Sequence, residues 1–280
     1  MLEGYGFILP WVIGFLLFMA YPLIESLIYS FQDLRLSAGK LAATNVGWKH
    51  YRSGFTVDLE MVPILRKTVV SMAVQTPLIL IFAMFCALLL NRPMKGKAVF
   101  RGIFFLPVIV ASGEALTTLL KQGAATLPIF RQAGLKETLA DFIPIQLLNP
   151  LLAMMDTLSL VMWGAGVPIL ILLGGLQTVS PSLYEAAKCD GATGWESFWK
   201  ITFPMLMPML FVSSLFVIVD SFTNVSNSMM GYIYDQIFIK LSFGYAAALG
   251  WIYSSMILVV IAIVFIMFRN TSALSQEGGR

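Results

Sequence analysis

Residues 183–204 read LYEAAKCDGATGWESFWKITFP, and the local physics is that of two short helices joined by a turn. Ser180-Pro181 supplies an N-cap residue followed by proline at the first helical position, where a missing N–H costs the helix nothing. A helix then runs through Glu185, Ala186 and Ala187. It ends where Gly191 offers the left-handed conformation of a C-terminal cap. Thr193 and Glu196, three residues apart, fit a capping box that starts a second helix. That helix carries Phe198, Trp199 and Ile201 and is expected to stop near Pro204, which has no N–H to donate to the ladder.

Working outward, both flanks of this stretch are free of charge: 28 residues over 157–184 and 19 over 201–219. Three more such runs occur, of 21 residues at 4–24, 24 at 68–91 and 28 at 241–268. About 20 helical residues cross the hydrocarbon core of a bilayer, so each run is long enough to span. A sixth candidate, Phe100 to Leu120, is interrupted by Glu114. The expected fold is therefore an all-α integral membrane protein with six spans, near 6–31, 68–91, 100–120, 151–177, 204–227 and 245–268, and a loop at 180–203. The runs are continuous rather than alternating, which excludes a membrane β-barrel. The first span has no basic leading region and is read as uncleaved.

Composition agrees. Of 280 residues 58% are hydrophobic and 12% charged, 33 charged side chains in all, and the mean hydropathy is +0.83. Soluble domains carry roughly 25% charged residues. This balance excludes a disordered chain, a nucleic-acid-binding basic domain and a disulfide scaffold. Cys86 and Cys189 read as free thiols. The single histidine, His50, reads as a loop residue and leaves no set for a metal or a catalytic triad; no cofactor is expected. Arg92, Lys95, Lys97 and Arg101 crowd one short loop and place it in the cytoplasm. Both termini then face the cytoplasm too, although 8 Lys+Arg fall inside and 10 outside. The polar segments Gln32 to Lys67 and Lys121 to Asn149 are expected as short helices on the outer surface.

The chemistry of 183–204 is docking rather than catalysis. Ala186 and Ala187 let another surface approach the backbone closely, and Glu185 offers one charge to a basic partner. Polar groups inside spans are costly and tend to face a bundle interior or water, which singles out Asp220, Asn224 and Asn227, with Trp163 and Gln75, and secondarily Glu114 and Asp156. Spacing of i, i+4 and i+7 puts Asp220, Asn224 and Asn227 on one face of the fifth span. The plainer reading of these polar residues is bonding between neighbouring spans; that of Trp163 is packing.

The stretch resembles the EAA loop of binding-protein-dependent ABC importer permeases, E-A-A, three residues, G, then nine residues to I-x-L-P. Glu185, Ala186, Ala187, Gly191, Ile201 and Pro204 stand at those spacings, with Phe203 in place of leucine. Asp190-Gly191-Ala192 is similar to the D-G-A of carbohydrate-uptake permeases of the maltose and glycerol-phosphate type. Tyr21-Pro22 with Ser30-Phe31, Gly47-Trp48 with Tyr51, Arg101 to Pro107, Gly174 to Gln177 and Phe243 to Ala246 extend the resemblance along nearly the whole chain. It implies a six-span type I permease in a bacterial or archaeal cytoplasmic membrane. It implies as partners a second permease subunit, two ATPase subunits docked on 181–203 through Glu185, Ala186, Ala187, Asp190, Gly191 and Ala192, an extracellular solute-binding protein and membrane lipid, and no nucleic acid. The chain has no G-x-x-x-x-G-K-[ST] phosphate loop, so ATP hydrolysis is expected on separate subunits and this chain is not itself an enzyme. The implied cargo is a sugar or oligosaccharide. The alternatives are a permease for another solute and a self-contained secondary carrier, for which an internal repeat is the usual mark; none is found.

Overall fold

The computed structural model describes residues 2–37, 40–92, 102, 144, 148, 157–158, 160–224 and 227–277. The expected third span at 100–120, most of the basic loop before it, the segment 121–149, Glu114, Asp156 and the first part of the fourth span lie outside the described residues. Four helical stretches among those described are long and apolar enough to cross a membrane: Phe7–Ser30, Met61–Asn91, the one that begins at Gly194, and Phe243–Arg269. A fifth span arises if Gly166–Thr178 and Pro181–Cys189, bent by 63° at their junction, are counted as one.

The chain divides into two compact units, one of residues 1–69 and 227–259, the other of residues 70–226 and 260–280. The first opens with α1 (Leu2–Phe15), a π turn (Leu16–Ala20) and α2 (Tyr21–Ser30). In the π turn the Tyr21 N–H reaches back to the Leu16 carbonyl. Pro22 follows directly and has no N–H for the ladder; the widened turn gives its ring room. Phe7, Trp11 and Phe18 are exposed along this helix, as a lipid-facing span requires.

The segment after it corrects the all-helical expectation. β1 (Gln32–Ser37) and β2 (Lys40–Asn45) pair antiparallel, with Ser37 opposite Lys40 and Gln32 opposite Asn45. The physical reason is in the sequence: polar and apolar residues alternate over 33–36, and only Ala38-Gly39 separates the strands, a spacing that favours a tight hairpin. α3 (Lys49–Thr56) follows, so His50 lies on a helix rather than in a loop, its Nε2 3.1 Å from the Gln32 carbonyl oxygen. Phe31, Trp48 and Tyr51 form a ring cluster with centroids 5.1 to 5.3 Å apart, and the hydroxyls of Ser30 and Tyr51 bond at 2.8 Å. The close approach at Gly244 is absolute: a Cβ there would stand 1.9 Å from the Gln32 carbonyl oxygen.

The second unit is built from the body of α4 (Met61–Asn91), α5 (Gly166–Thr178), α6 (Pro181–Cys189), α7 (Gly194–Ser197), a second π turn (Phe198–Thr202) and α8 (Phe203–Thr223). α9 (Ser228–Phe238) and the start of α10 (Phe243–Glu277) return to the first unit. Lipid tails are as apolar as leucine, so membrane helices associate through close packing at small residues. Ala83, Ala87 and Ala165 are wholly buried, beside Ile169, Leu172 and Leu206. At Gly175 a Cβ would lie 2.6 Å from Met209 Cγ and 2.9 Å from Leu206 Cδ2, so the absence of a side chain there is what lets α5 and α8 meet. Cys86 is buried and Cys189 exposed, both as free thiols.

Candidate functional site

The stretch that opened the sequence reading folds as a bent, doubly capped corner between α5 and α8. Ser180 is the N-cap of α6 and Pro181 its first residue, but the Ser180 hydroxyl bonds Ser182 at 2.7 Å instead of a backbone N–H. The far end of α6 is closed by two bonds: Ala192 N–H to the Ala187 carbonyl at 2.8 Å and Gly191 N–H to the Lys188 carbonyl at 3.1 Å. This wrap requires a left-handed residue, and Gly191 has φ +79° with open space around it. Asp190 sits at the cap itself, its N–H bonded to the Ala186 carbonyl at 3.0 Å. Glu185, Ala186, Asp190 and Gly191 are exposed; Ala187 and Ala192 are partly covered.

The second cap is the expected capping box. Glu196 N–H donates to Thr193 Oγ1 at 3.3 Å, and Thr193 N–H donates to Glu196 Oε2 at 2.9 Å. The bonds from the Thr193 backbone and side chain, with Lys200 nearby, hold the Glu196 carboxyl below its ordinary pKa. The helix started here does not stop at Pro204. It passes through the π turn, where the Phe203 N–H bonds the Phe198 carbonyl, and continues to Thr223. The wide turn gives the Pro204 ring room, as at Pro22. Trp195, Phe198, Trp199 and Phe203 cluster around it with centroids 5.0 to 6.4 Å apart, while Trp195 stays 71% exposed.

The expected polar face of the fifth span is not formed. Asp220 stands exposed on the last turn of α8, but the helix ends at Thr223. Asn224 is its cap, and Asn227 is the N-cap of α9, accepting the Met229 N–H at 2.8 Å. Asparagine competes for backbone groups and so favours helix ends over helix interiors, which defeats an i, i+7 count. Gln75 is half-buried in α4, and Trp163 is half-buried in the helical residues before α5.

A cluster absent from the sequence reading closes the head of α4. Asp58 Oδ1 accepts the N–H groups of Glu60 and Met61 at 2.9 and 3.0 Å, and Oδ2 accepts the hydroxyls of Tyr232, at 2.6 Å, and Tyr245. Lys240 Nζ lies 5.5 Å from the Tyr232 ring centre. Ser53, Glu60 and Gln236 join these residues around an open pocket of about 410 Å³. An aspartate shortly before an apolar helix is a capping signal; the tyrosines, over 170 residues away in sequence, give no local sign of meeting it.

Residues 64–276 match the family described as "binding-protein-dependent transport system inner membrane component". The chain is 31% identical to the probable ABC transporter permease protein YesP of Bacillus subtilis, over 97% of this chain and 91% of that one. It is 28% identical to the lactose transport system permease protein LacF of Rhizobium radiobacter, over 95% and 93%. Among solved structures it superposes on a chain of a bacterial ABC transporter involved in the import of the acidic polysaccharide alginate. There the TM-score is 0.64 and the identity 20%, over 95% of this chain and 94% of that one. The run of apolar helices, the doubly capped corner between two of them and the family match over residues 64–276 agree, and the chain belongs to the binding-protein-dependent transport system inner membrane components.

Proposed function

We propose that the chain is one permease half of an ATP-driven importer for a sugar or oligosaccharide handed over by an extracellular binding protein. It crosses the membrane six times with both termini in the cytoplasm. A second permease subunit completes the path, and two ATPase subunits dock on residues 181–203. Relatives named for lactose, arabinooligosaccharide and multiple-sugar transport support the cargo class.

The observation that carries the docking role is the exposed face of α6. Glu185, Ala186 and Asp190 are exposed on a helix that begins at Pro181 and whose far end is closed by the Gly191 wrap. ATPase subunits that contact α6 differently in their ATP-bound and free states shift the permease between its two conformations; equal contacts shift nothing. Asp220, Asn224, Asn227, Trp163 and Gln75 are the proposed path residues. Glu185→Lys is expected to abolish ATP hydrolysis stimulated by the binding protein while the chain still inserts. Normal stimulated hydrolysis in that variant contradicts the docking role.

A further inference from the structure

The proposed docking helix has to act on a span, and the described residues include a polar link for that purpose. The hydroxyl of Tyr184, the residue before Glu185, lies 2.9 Å from Thr202 Oγ1. Thr202 is 5% exposed and occupies the last position of the π turn, directly before Phe203-Pro204. Its own hydroxyl leans 3.5 Å toward the Ser197 carbonyl, five residues back. The two hydroxyls thus join the face of α6 to the π turn at the foot of α8.

We infer that Tyr184 and Thr202 are positioning residues forming a strut that transmits displacement of α6 to the base of the fifth span. The geometry favours this pair over the ring cluster beside it. Rings in contact slide at little cost, whereas the hydrogen bond between the part-buried Tyr184 hydroxyl and the buried Thr202 hydroxyl is directional. A π turn is also a recurrent site of local adjustment in helices. A push on α6 therefore arrives at the π turn on which α8 stands.

The inference rests on the ATPase-docking reading, and the test separates the two. The four-subunit complex is reconstituted in liposomes with Cys86→Ala, Cys189→Ser and the reporter Thr223→Cys at the end of α8. Labelling by a membrane-impermeant maleimide is timed without nucleotide and after trapping with ATP and vanadate. The strut predicts that Tyr184→Phe and Thr202→Val each shrink the trapping-induced change roughly fivefold, the effect of one lost hydrogen bond on a two-state population. The double variant is expected to be no worse than either single one, and Thr202→Ser to behave as the parent. An unaltered labelling change in both single variants, or additive losses in the double, overturns the strut. Glu185→Lys is the control for the reading beneath it. Loss of the labelling change there but not in Tyr184→Phe removes the strut alone; retention in Glu185→Lys removes the docking role itself.

Discussion

At the scale of single residues, Gly191 and Asp58 show how much one position decides. Gly191 holds φ +79° with nothing within 4 Å of where a Cβ would stand, so any substitution there is opposed by backbone strain alone. Gly191→Ala is expected to weaken the end of α6 by about 1–2 kcal/mol, the usual cost of a left-handed non-glycine residue, and Gly191→Asn by less. Amide exchange at Ala192, whose N–H closes the wrap, measures it; unchanged protection in the alanine variant contradicts the cap. Asp58 is an acceptor serving four donors. Burial raises its pKa, but the hydroxyls of Tyr232 and Tyr245 and the N–H groups of Met61 and Glu60 outweigh that and hold it below its ordinary value. The ionised form is the bonded one, so its contribution to stability is complete above the ordinary aspartate range. It is lost only as pH falls through the lowered value. Thermal melts at falling pH are expected to show a drop below that range in the parent and a smaller one in Asp58→Asn; equal drops assign the effect to another group.

At the scale of elements, what the sequence disclosed and what it withheld divide by the range of the interactions. Ser180-Pro181, Gly191 and the Thr193–Glu196 box act within a few residues, and each is found where spacing put it. Pro204 was expected to end a helix because proline cannot join a regular ladder, yet a turn of a different pitch takes it in. Asn224 and Asn227 were expected to share a helical face, yet their competition for backbone groups places both at helix ends. The Asp58 cluster and the Tyr184–Thr202 pair had no local signature, being made by elements that meet only in the fold. Gly175 belongs here too, since its reason lies on another helix. Gly175→Val is expected to force Met209 and Leu206 aside and cost about 1–3 kcal/mol, as overpacking does. A melting temperature in detergent equal to the parent's contradicts the close approach of α5 and α8.

At the scale of the whole molecule, scarcity of charge set the class. α4 begins at Met61, ahead of its run, because Arg66 and Lys67 carry their long apolar stems along a helix as easily as beyond it. The hairpin at 32–45 escaped because polarity was read there as surface helix, although the same alternation suits strands. The proposed six spans make a firm demand on sidedness. Reporter fusions after Cys189 and Glu277 are expected to report the cytoplasm, and fusions after Asn45 and Lys240 the exterior. Cys189 and Lys240 on the same side contradict the count.

The two π turns have one more consequence. Each holds one residue more than an α-helix needs for the same length, and each closes on an aromatic residue followed by proline, Tyr21-Pro22 and Phe203-Pro204. One surplus residue advances the azimuth of everything beyond it by about 100°. The turn at 198–202 is thus a phase setting: it fixes which way Asp220 points relative to the capping box that begins the same helix. A lineage that lost a single residue there would keep its caps and its span, and aim a different face of that span at its neighbours.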